Sequence, residues 1–465
     1  VKILRRILAT LLVLLAVAAL WLWMRPPDLL RVGANYAAKT VCSNVFLAGR
    51  DATDVLTSDV QAPGVAVLRL AKVSVDKPHG IVRANFLGFI GGGLAVARPG
   101  AGCTVVPDGM PDQIAGLPPR ATPNPALNPA PGLAPTSASE TPPSAPTLWP
   151  EGEVPAPTPA LQSVLADDAL TGPGMRAVLV IDHGRIVAER YAPGFTAATP
   201  LLGWSMAKTV TAALVGLLIQ DGKLTLDQAG FWPAGDGREH IRIADLMAMA
   251  SGLRFNEEYG AVSDVTRMLY LEPDTAGFAY AQPLAHPVGE LWSYSSGTAN
   301  IVARIVQNIG GGPWVQDRLF GPLGMTSALI EADERGTLVG SSYMYADAHD
   351  WARFAQFLLQ NGVWQGRQLL PAGYVDMMAT PLAASHGQYG HGFVWLWASD
   401  PLIEGQNPDT AFGIPGDTFY LMGHDGQSIA VIRSRQIAVI RLGLTPYTQG
   451  YSPQRLIQAV LEAKS

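Results

Sequence analysis

Between Leu117 and Pro159 the chain carries the string ATPNPALNPAPGLAPTSASETPPSAP. Proline recurs there too often for helix or sheet to persist, because each proline removes a backbone donor and obstructs the preceding turn. An extended, polyproline-like linker is predicted over 117–159. Two stretches are left to fold separately, 28–116 before it and 160–465 after it. The piece LWPEGE at the linker's end, with Trp149, is an alternative docking element for the following domain. With 465 residues, of which 48% are hydrophobic and 15% charged, the chain can bury a large core.

Before both stretches lies a segment of different character. Lys2, Arg5 and Arg6 precede an apolar run from Ile7 to Met24, interrupted only by Thr10 and closed by Arg25-Pro26-Pro27. The run approaches the roughly 20 residues that span a bilayer and exceeds the roughly 7–15 of a signal-peptide core. Residues 1–27 are therefore read as an uncleaved membrane anchor in preference to a cleaved signal. The basic residues at the start predict that the rest of the chain lies on the exported side of the cytoplasmic membrane. Thiols oxidise there. Cys42 and Cys103 are the two cysteines and both lie far from every catalytic candidate, so a structural disulfide is expected, contributing roughly 4 kcal/mol on the chain-entropy view. Two isolated cysteines without a nearby His pair do not suggest a metal site, and no cofactor is expected. A net charge of −6 with no basic patch interleaved with aromatics argues against nucleic acid as a partner.

From about Asn35 to Pro107, runs such as VAVLRLAKVSV and GIVRANFLGFI alternate with Gly/Pro breaks, which predicts a small strand-rich accessory region. The stretch 160–465 opens on a hairpin pattern, Ala177–Ile181 and Ile186–Tyr191 around Asp182-His183-Gly184-Arg185, and then turns helical from Ser205 to Gly222. Strands return at Ser428–Arg433 and Ile437–Leu444, and a final helix is predicted over Pro453–Lys464. Strands at both ends with helices between predict an α+β domain, one antiparallel sheet built from the two termini and packed with a helical subdomain.

Three short elements carry chemistry. In Gly203-Trp204-Ser205-Met206-Ala207-Lys208, a serine opens a helix and a lysine follows three residues later on the same face. A desolvated lysine can act as base towards a hydroxyl that is a weak nucleophile alone, and a helix N-terminus offers N–H groups to a developing oxyanion. In Trp292-Ser293-Tyr294-Ser295-Ser296-Gly297, Tyr294 is placed to relay a proton with Lys208. In Gly423-His424-Asp425-Gly426-Gln427-Ser428, Gly426 would let a substrate approach a strand edge, and the Gln427 N–H would be the second oxyanion donor. Arg242, Asp245 and Asn256-Glu257-Glu258-Tyr259 are read as solvated charges and not as catalytic groups.

The three elements, in this order, resemble the serine β-lactamase and penicillin-binding-protein superfamily, whose pattern is Ser-x-x-Lys, Tyr-x-Asn and Lys-Thr-Gly. The Tyr-type second element is similar to the class C-like branch; Glu272 precedes Tyr294 and so does not match a class A deacylating glutamate. GWSMAKTVTAALVGLL, SYSSGTANIVARIV and GHDGQSIAVIRSRQIAVIRLG are most similar to the branch containing 6-aminohexanoate-dimer hydrolase and esterase relatives. The resemblance covers roughly Leu161 to Ser465 and implies a β-lactamase/transpeptidase-like fold. It implies a serine hydrolase in which Ser205 is acylated and Lys208 and Tyr294 move protons. Ser296 stands where the family has Asn, and His424 where it has Lys, so a fixed cation for a substrate carboxylate is missing. Small esters, linear amides or short peptides are the expected substrates. A β-lactamase, a D-amino-acid peptidase acting on cell-wall peptides and a non-catalytic penicillin- or peptidoglycan-binding sensor are the alternatives.

Overall fold

Helix α1, Lys2–Met24, has most of its described apolar side chains exposed, and among the described residues it is the helix long and apolar enough to cross a membrane. The computed structural model describes residues 2–62, 65–107, 109, 158–311, 313–398 and 406–464, so nearly all of the Pro-rich stretch, Trp149 included, lies outside the described residues. The chain divides into two units. One holds the residues up to 109 together with 256–275 and 332–336; the other holds 158–255, 276–331 and 337–464.

In the first unit the strand-rich expectation needs correcting at its start. Residues Asp28–Phe46 form helix α2. Its buried positions Ala34, Ala37, Ala38, Val41 and Val45 recur every three or four residues, the period of one helical face. Strands then follow as expected: β1 (Ala71–Asp76), β2 (Ile81–Phe86), β3 (Ile90–Arg98) and β4 (Gly102–Val105), an antiparallel meander in the order β1-β2-β3-β4. The helix lies very close on this sheet. A Cβ at Gly93 of β3 would stand 2.3 Å from the Ala34 carbonyl carbon, so only glycine permits that approach. Cys42 of α2 and Cys103 of β4 are joined by a disulfide across a Cα separation of 6.0 Å. Asn35, 1% exposed, accepts from Leu94 N–H of β3 at 3.0 Å and donates to the Tyr270 carbonyl at 2.8 Å. One amide thus ties α2 both to the sheet and to the short helix Asp264–Tyr270. The Asp28–Arg267 ion pair, the edge-on Tyr36–Tyr270 rings and a Thr104 hydroxyl donating to Ala332 O complete the attachment.

The second unit is built as its alternation predicts. Strands β5 (Met175–Asp182) and β6 (Arg185–Tyr191) come from its start. Two residues, Leu201–Leu202 (β7), then pair with Met344–Ala346 (β8). Helices α3 (Met206–Gln220), α4 (Ser296–Gly310) and α5 (Ala348–Leu359) fill the middle. At the end come β9 (Thr418–Gly423), β10 (Gln427–Ile432), β11 (Ile437–Gly443) and helix α6 (Pro453–Lys464). The five long strands form one antiparallel sheet in the order β9-β10-β11-β5-β6, so strands from both ends of the unit share it. β10 and β11 are buried along their whole length, as sheet strands covered on both faces must be. Edge strand β9 presents its free side to Trp395, which exchanges backbone hydrogen bonds with Tyr420 at 3.0 and 2.7 Å.

Candidate active site

The turn before α3 carries one of the chain's left-handed non-glycine residues. Trp204 adopts φ 48°, a left-handed conformation that costs a bulky residue about 1–3 kcal/mol and persists only where its surroundings enforce it. Here they do. Gly203 N–H donates to Met344 O of β8 at 2.9 Å, and the Trp351 ring of α5 fills the space beside the Gly203 Cα, so that a Cβ would lie 2.2 Å from it. On its other side the Gly203 carbonyl meets Gly423 at the end of β9, where a Cβ would come within 2.2 Å. The Trp204 ring is held edge-on to His424 at 5.6 Å. Ser205 follows this clamp as the first residue of the helical turn.

Lys208 is 1% exposed, one turn along α3. Its Nζ donates to Ser205 Oγ at 2.8 Å, to Ser296 Oγ at 2.9 Å and to the Ser341 carbonyl at 3.0 Å, which uses all three of an ammonium's N–H bonds. The Tyr294 ring lies 4.9 Å from the same nitrogen. Ser296 and Asn300 sit four residues apart on one face of α4. Asn300 Oδ1 accepts from Ser341 N–H at 3.1 Å, so the loop that offers its carbonyl to Lys208 is held by the helix that offers its hydroxyl. Ser341 carries no chemistry in its side-chain identity that a sequence scan would notice, since it serves through a main-chain oxygen.

The loop bearing Tyr294 is fastened from below. Ser293 N–H donates to Met249 O at 2.8 Å, Ser295 N–H to the Met249 sulfur at 3.3 Å, and the Ser295 hydroxyl accepts from Thr298 N–H as the cap of α4. Above it stand aromatic rings. Tyr294 lies 5.2 Å from Trp395 and 6.0 Å from Tyr389, and Trp292 lies 5.6 Å from Tyr389 and 5.8 Å from Trp395. Trp204, beside Ser205 in the chain, packs its ring 6.4 Å from that of Tyr343. Trp395 and Tyr389 come from an irregular segment almost 200 residues beyond Ser205, with no spacing that marks them in sequence.

The third element forms a tight turn, His424–Gly426, between β9 and β10. His424 is partly exposed, with its Nε2 3.4 Å from Asp425 Oδ1. Burial pushes the Asp425 carboxyl up, against the pull of His424 and Arg176. The surroundings of Gly426 and of the Gln427 side chain come from the protein itself. The space beside Gly426 is occupied by Arg441, whose Nη1 would lie 3.0 Å from a Cβ there, so this glycine makes room for the protein's own side chain and not for a substrate. Arg441 is fully buried and donates to the carbonyls of Gly426, Thr171 and Pro173 and to the Thr445 hydroxyl, with its guanidinium 4.3 Å over the Tyr451 ring. Gln427 lies on the interior strand β10, and its buried amide clasps the turn. It donates to His424 O at 3.1 Å and Gly443 O at 2.6 Å and accepts from Gly443 N–H. The element that reaches the Ser205 turn is the end of the edge strand, Gly423.

Of the residues singled out from sequence, Ser205, Lys208 and Ser296 are joined by hydrogen bonds, Tyr294 packs against Lys208, and His424 borders the Trp204 ring. Asp245 is half of a helix cap, accepting from Arg242 N–H at 2.9 Å and from its guanidinium. Cys42 and Cys103 belong to the other unit.

Comparison with known proteins identifies the family and the fold. The model of the Beta-lactamase family matches residues 167–463. A 6-aminohexanoate-dimer hydrolase of Paenarthrobacter ureafaciens is 26% identical over 219 residues, which is 43% of this chain and 56% of that protein; the chain thus spans little more than half of its curated relative's length. Among solved structures, a candidate 6-aminohexanoate-dimer hydrolase of Bacillus anthracis superposes with a TM-score of 0.52 at 20% identity, over 64% of this chain and 79% of that one. A candidate β-lactamase of Bacteroides dorei superposes with a TM-score of 0.53 at 18% identity, over 66% and 99%. At these identities the structural likeness is one of fold, the β-lactamase/transpeptidase-like arrangement.

Proposed function

Since the chain belongs to the Beta-lactamase family, we propose that it is a serine hydrolase that cleaves small carboxylic esters or linear amides through an acyl-enzyme on Ser205. The observation that carries this reading is the buried Lys208 ammonium, shared between the hydroxyls of Ser205 and Ser296 with the Tyr294 ring against it. Ser205 Oγ attacks the carbonyl carbon while its proton passes to Tyr294, held as phenolate by the adjacent Lys208 ammonium, which donates to Ser205 Oγ. Tyr294 returns that proton to the departing alcohol or amine. Water then attacks the acyl-enzyme, gives its proton to the Tyr294 phenolate, and releases the carboxylic acid and free Ser205. One oxyanion donor is the Ser205 N–H at the start of α3. The second is assigned to the end of β9 near Gly423, where the edge strand meets the Ser205 turn, in place of Gln427.

The aromatic surroundings favour acyl or leaving groups with apolar bodies. His424, with its ring on Trp204 and its Nε2 near Asp425, supplies a hydrogen-bonding tip where the family pattern has a lysine. This weakens recognition of a carboxylate such as that of penicillin or a D-alanyl peptide, and esters or uncharged amides fit better. Helix α1 is read as a membrane anchor with the rest of the chain on the exported side, and the Cys42–Cys103 disulfide supports an oxidising compartment.

The test treats the purified protein with a fluorophosphonate probe and with p-nitrophenyl esters of increasing chain length. Nitrocefin, a linear aminohexanoate dimer and a D-Ala-D-Ala peptide are assayed in parallel. Ser205→Ala is expected to abolish both labelling and turnover, and Lys208→Ala and Tyr294→Phe to lower turnover by at least about 10²-fold. Persistent turnover in Ser205→Ala sinks the proposal, and labelling without turnover of any substrate would favour a sensor.

A further inference from the structure

Only Arg25-Pro26-Pro27 separate the end of α1 from the start of α2, a connection that spans at most about 10 Å. If α1 is embedded, the first unit begins at the membrane surface. The side chain of Leu22, in the last turns of α1, already packs against that unit's core. What the unit presents at this end is unusual for a water-facing surface. β3 runs beside α2 with Gly91 against the Leu30 backbone and Gly93 against Ala34, so the β2–β3 turn lies at the α2 N-terminus, where α1 arrives. That turn carries Leu87 and Phe89, exposed by 52% and 45%. Leu87 N–H donates to Leu70 O, which brings in Leu70, itself half exposed, and Leu29 opens α2 beside them. Four large apolar side chains thus stand exposed at one end of a small unit, a cluster of the kind that marks an interaction surface.

The charge at this end has one predominant sign. Arg25, Arg69 and Lys72 are exposed, whereas Arg31 and Arg267 are paired with Asp28 and, at 3.9 Å from Arg267, Glu272, so the three exposed cations carry the sign. Exposed cations beside an apolar tip suit the boundary of a bilayer with anionic headgroups. From the continuity with α1 and this charge complementarity, we propose that the Leu29, Leu70, Leu87 and Phe89 surface of the first unit seats in the anionic lipid surface of the membrane that α1 crosses. The proposal rests on reading α1 as membrane-embedded and concerns a surface that the hydrolytic reaction does not use.

The full chain, reconstituted into vesicles of phosphatidylethanolamine and phosphatidylglycerol, tests it. The native cysteines are paired, so Phe89→Cys and, in a second variant, Leu87→Cys can each carry one environment-sensitive NBD label. His79→Cys serves as reference. It lies in the β1–β2 turn at the opposite end of the sheet, a strand length of about 20 Å away. Labels at 89 and 87 are expected to emit blue-shifted light and to be quenched by doxyl-labelled lipids, while the label at 79 behaves as in water. Replacing phosphatidylglycerol by a neutral lipid is expected to weaken the quenching. Water-like emission at 89 and 87, in protein that resists alkaline carbonate extraction, overturns the proposed surface and leaves the anchor standing. Release by carbonate overturns the anchor and the surface with it. Shielding at 89 that disappears when the protein is diluted in lipid assigns the surface to a second copy of the chain and also overturns the proposal.

Discussion

The two units solve the problem of holding a fold together by opposite means. The first has a thin core of alanines, valines and glycines between one helix and a four-stranded meander. A covalent bond from Cys42 to Cys103 and the buried amide of Asn35, with the Asp28–Arg267 pair and the Thr104 hydroxyl, fasten its pieces. The second contains no cysteine. It fills a five-stranded sheet and its helices with large aliphatic and aromatic side chains, and it buries polar groups, Arg441, Gln427 and Lys208 among them, with their hydrogen bonds made within the protein. The difference separates stability from chemistry. A staple can hold a small core without specifying any one arrangement of polar atoms, whereas a site needs polar atoms at fixed places in a dry interior.

The comparison breaks most readily at the staple. In the Cys42→Ser/Cys103→Ser variant the first unit is expected to lose about 4 kcal/mol, read as faster hydrogen exchange across β1–β4 and faster proteolysis within 28–105. Fluorophosphonate labelling of Ser205 should persist. If labelling vanishes as well, the two units do not have separate sources of stability. The converse test is Arg441→Met, which leaves the carbonyls of Gly426, Thr171 and Pro173 without their donor. A loss of about 3 kcal/mol in urea unfolding followed by tryptophan fluorescence, together with weakened labelling, is expected. An unchanged midpoint would remove the buried polar network from the account.

Asn35→Ala sharpens the picture within the first unit. It strands Leu94 N–H and Tyr270 O in the interior, and about 2 kcal/mol should be lost there, seen as exchange at the short helix Asp264–Tyr270. The smallest effect is electrostatic and belongs to the second unit. His349 Nε2 lies 2.7 Å from Glu189 Oε2. Burial opposes the charge on each, but the mutual hydrogen bond prevails, so the imidazole is held above its ordinary value and the carboxyl below its own. The pair's contribution is full between the ordinary values of about 4.5 and 6.5. It fades as pH rises through the raised imidazole pKa and as pH falls through the lowered carboxyl pKa. His349→Gln should cost about 1 kcal/mol at pH 6 and progressively less at pH 8 and above, measured as the difference in unfolding midpoint. Equal losses at both pH values would mean that the ion pair contributes nothing beyond packing.

What could be read from the residues follows the same division. Ser205 and Lys208 were legible because an i,i+3 pair on a helix keeps its geometry wherever the helix goes. The sheet was legible because β-branched runs at both ends have few other partners. Ser341 was not, since a carbonyl acceptor leaves no trace in residue identity, and neither were Tyr389 and Trp395, which reach Tyr294 from an irregular segment. Arg441 beside Gly426 and the side-chain clasp of Gln427 were not legible, because a turn's sequence does not say which of its faces meets the interior. Helix α2 was missed because Gly33, Asn35, Thr40 and Ser43 dilute its pattern, although Ala34, Ala37, Ala38, Val41 and Val45 keep the period. That 256–275 joins the first unit could not be read at all. No local rule pairs Asn35 with Tyr270.

That last pairing bears on the order of events during synthesis. The Cys42–Cys103 crosslink closes over 61 residues, whereas the bond from Asn35 to Tyr270 must wait for a partner 235 residues further along. At about 5–20 residues per second, Tyr270 follows Asn35 by roughly ten seconds or more, so the first unit waits that long with part of its own wall still untranslated. A crosslink formed within that interval would keep the helix and meander together until Tyr270 emerges, so an oxidant acting early would favour the native product more than the same oxidant acting late.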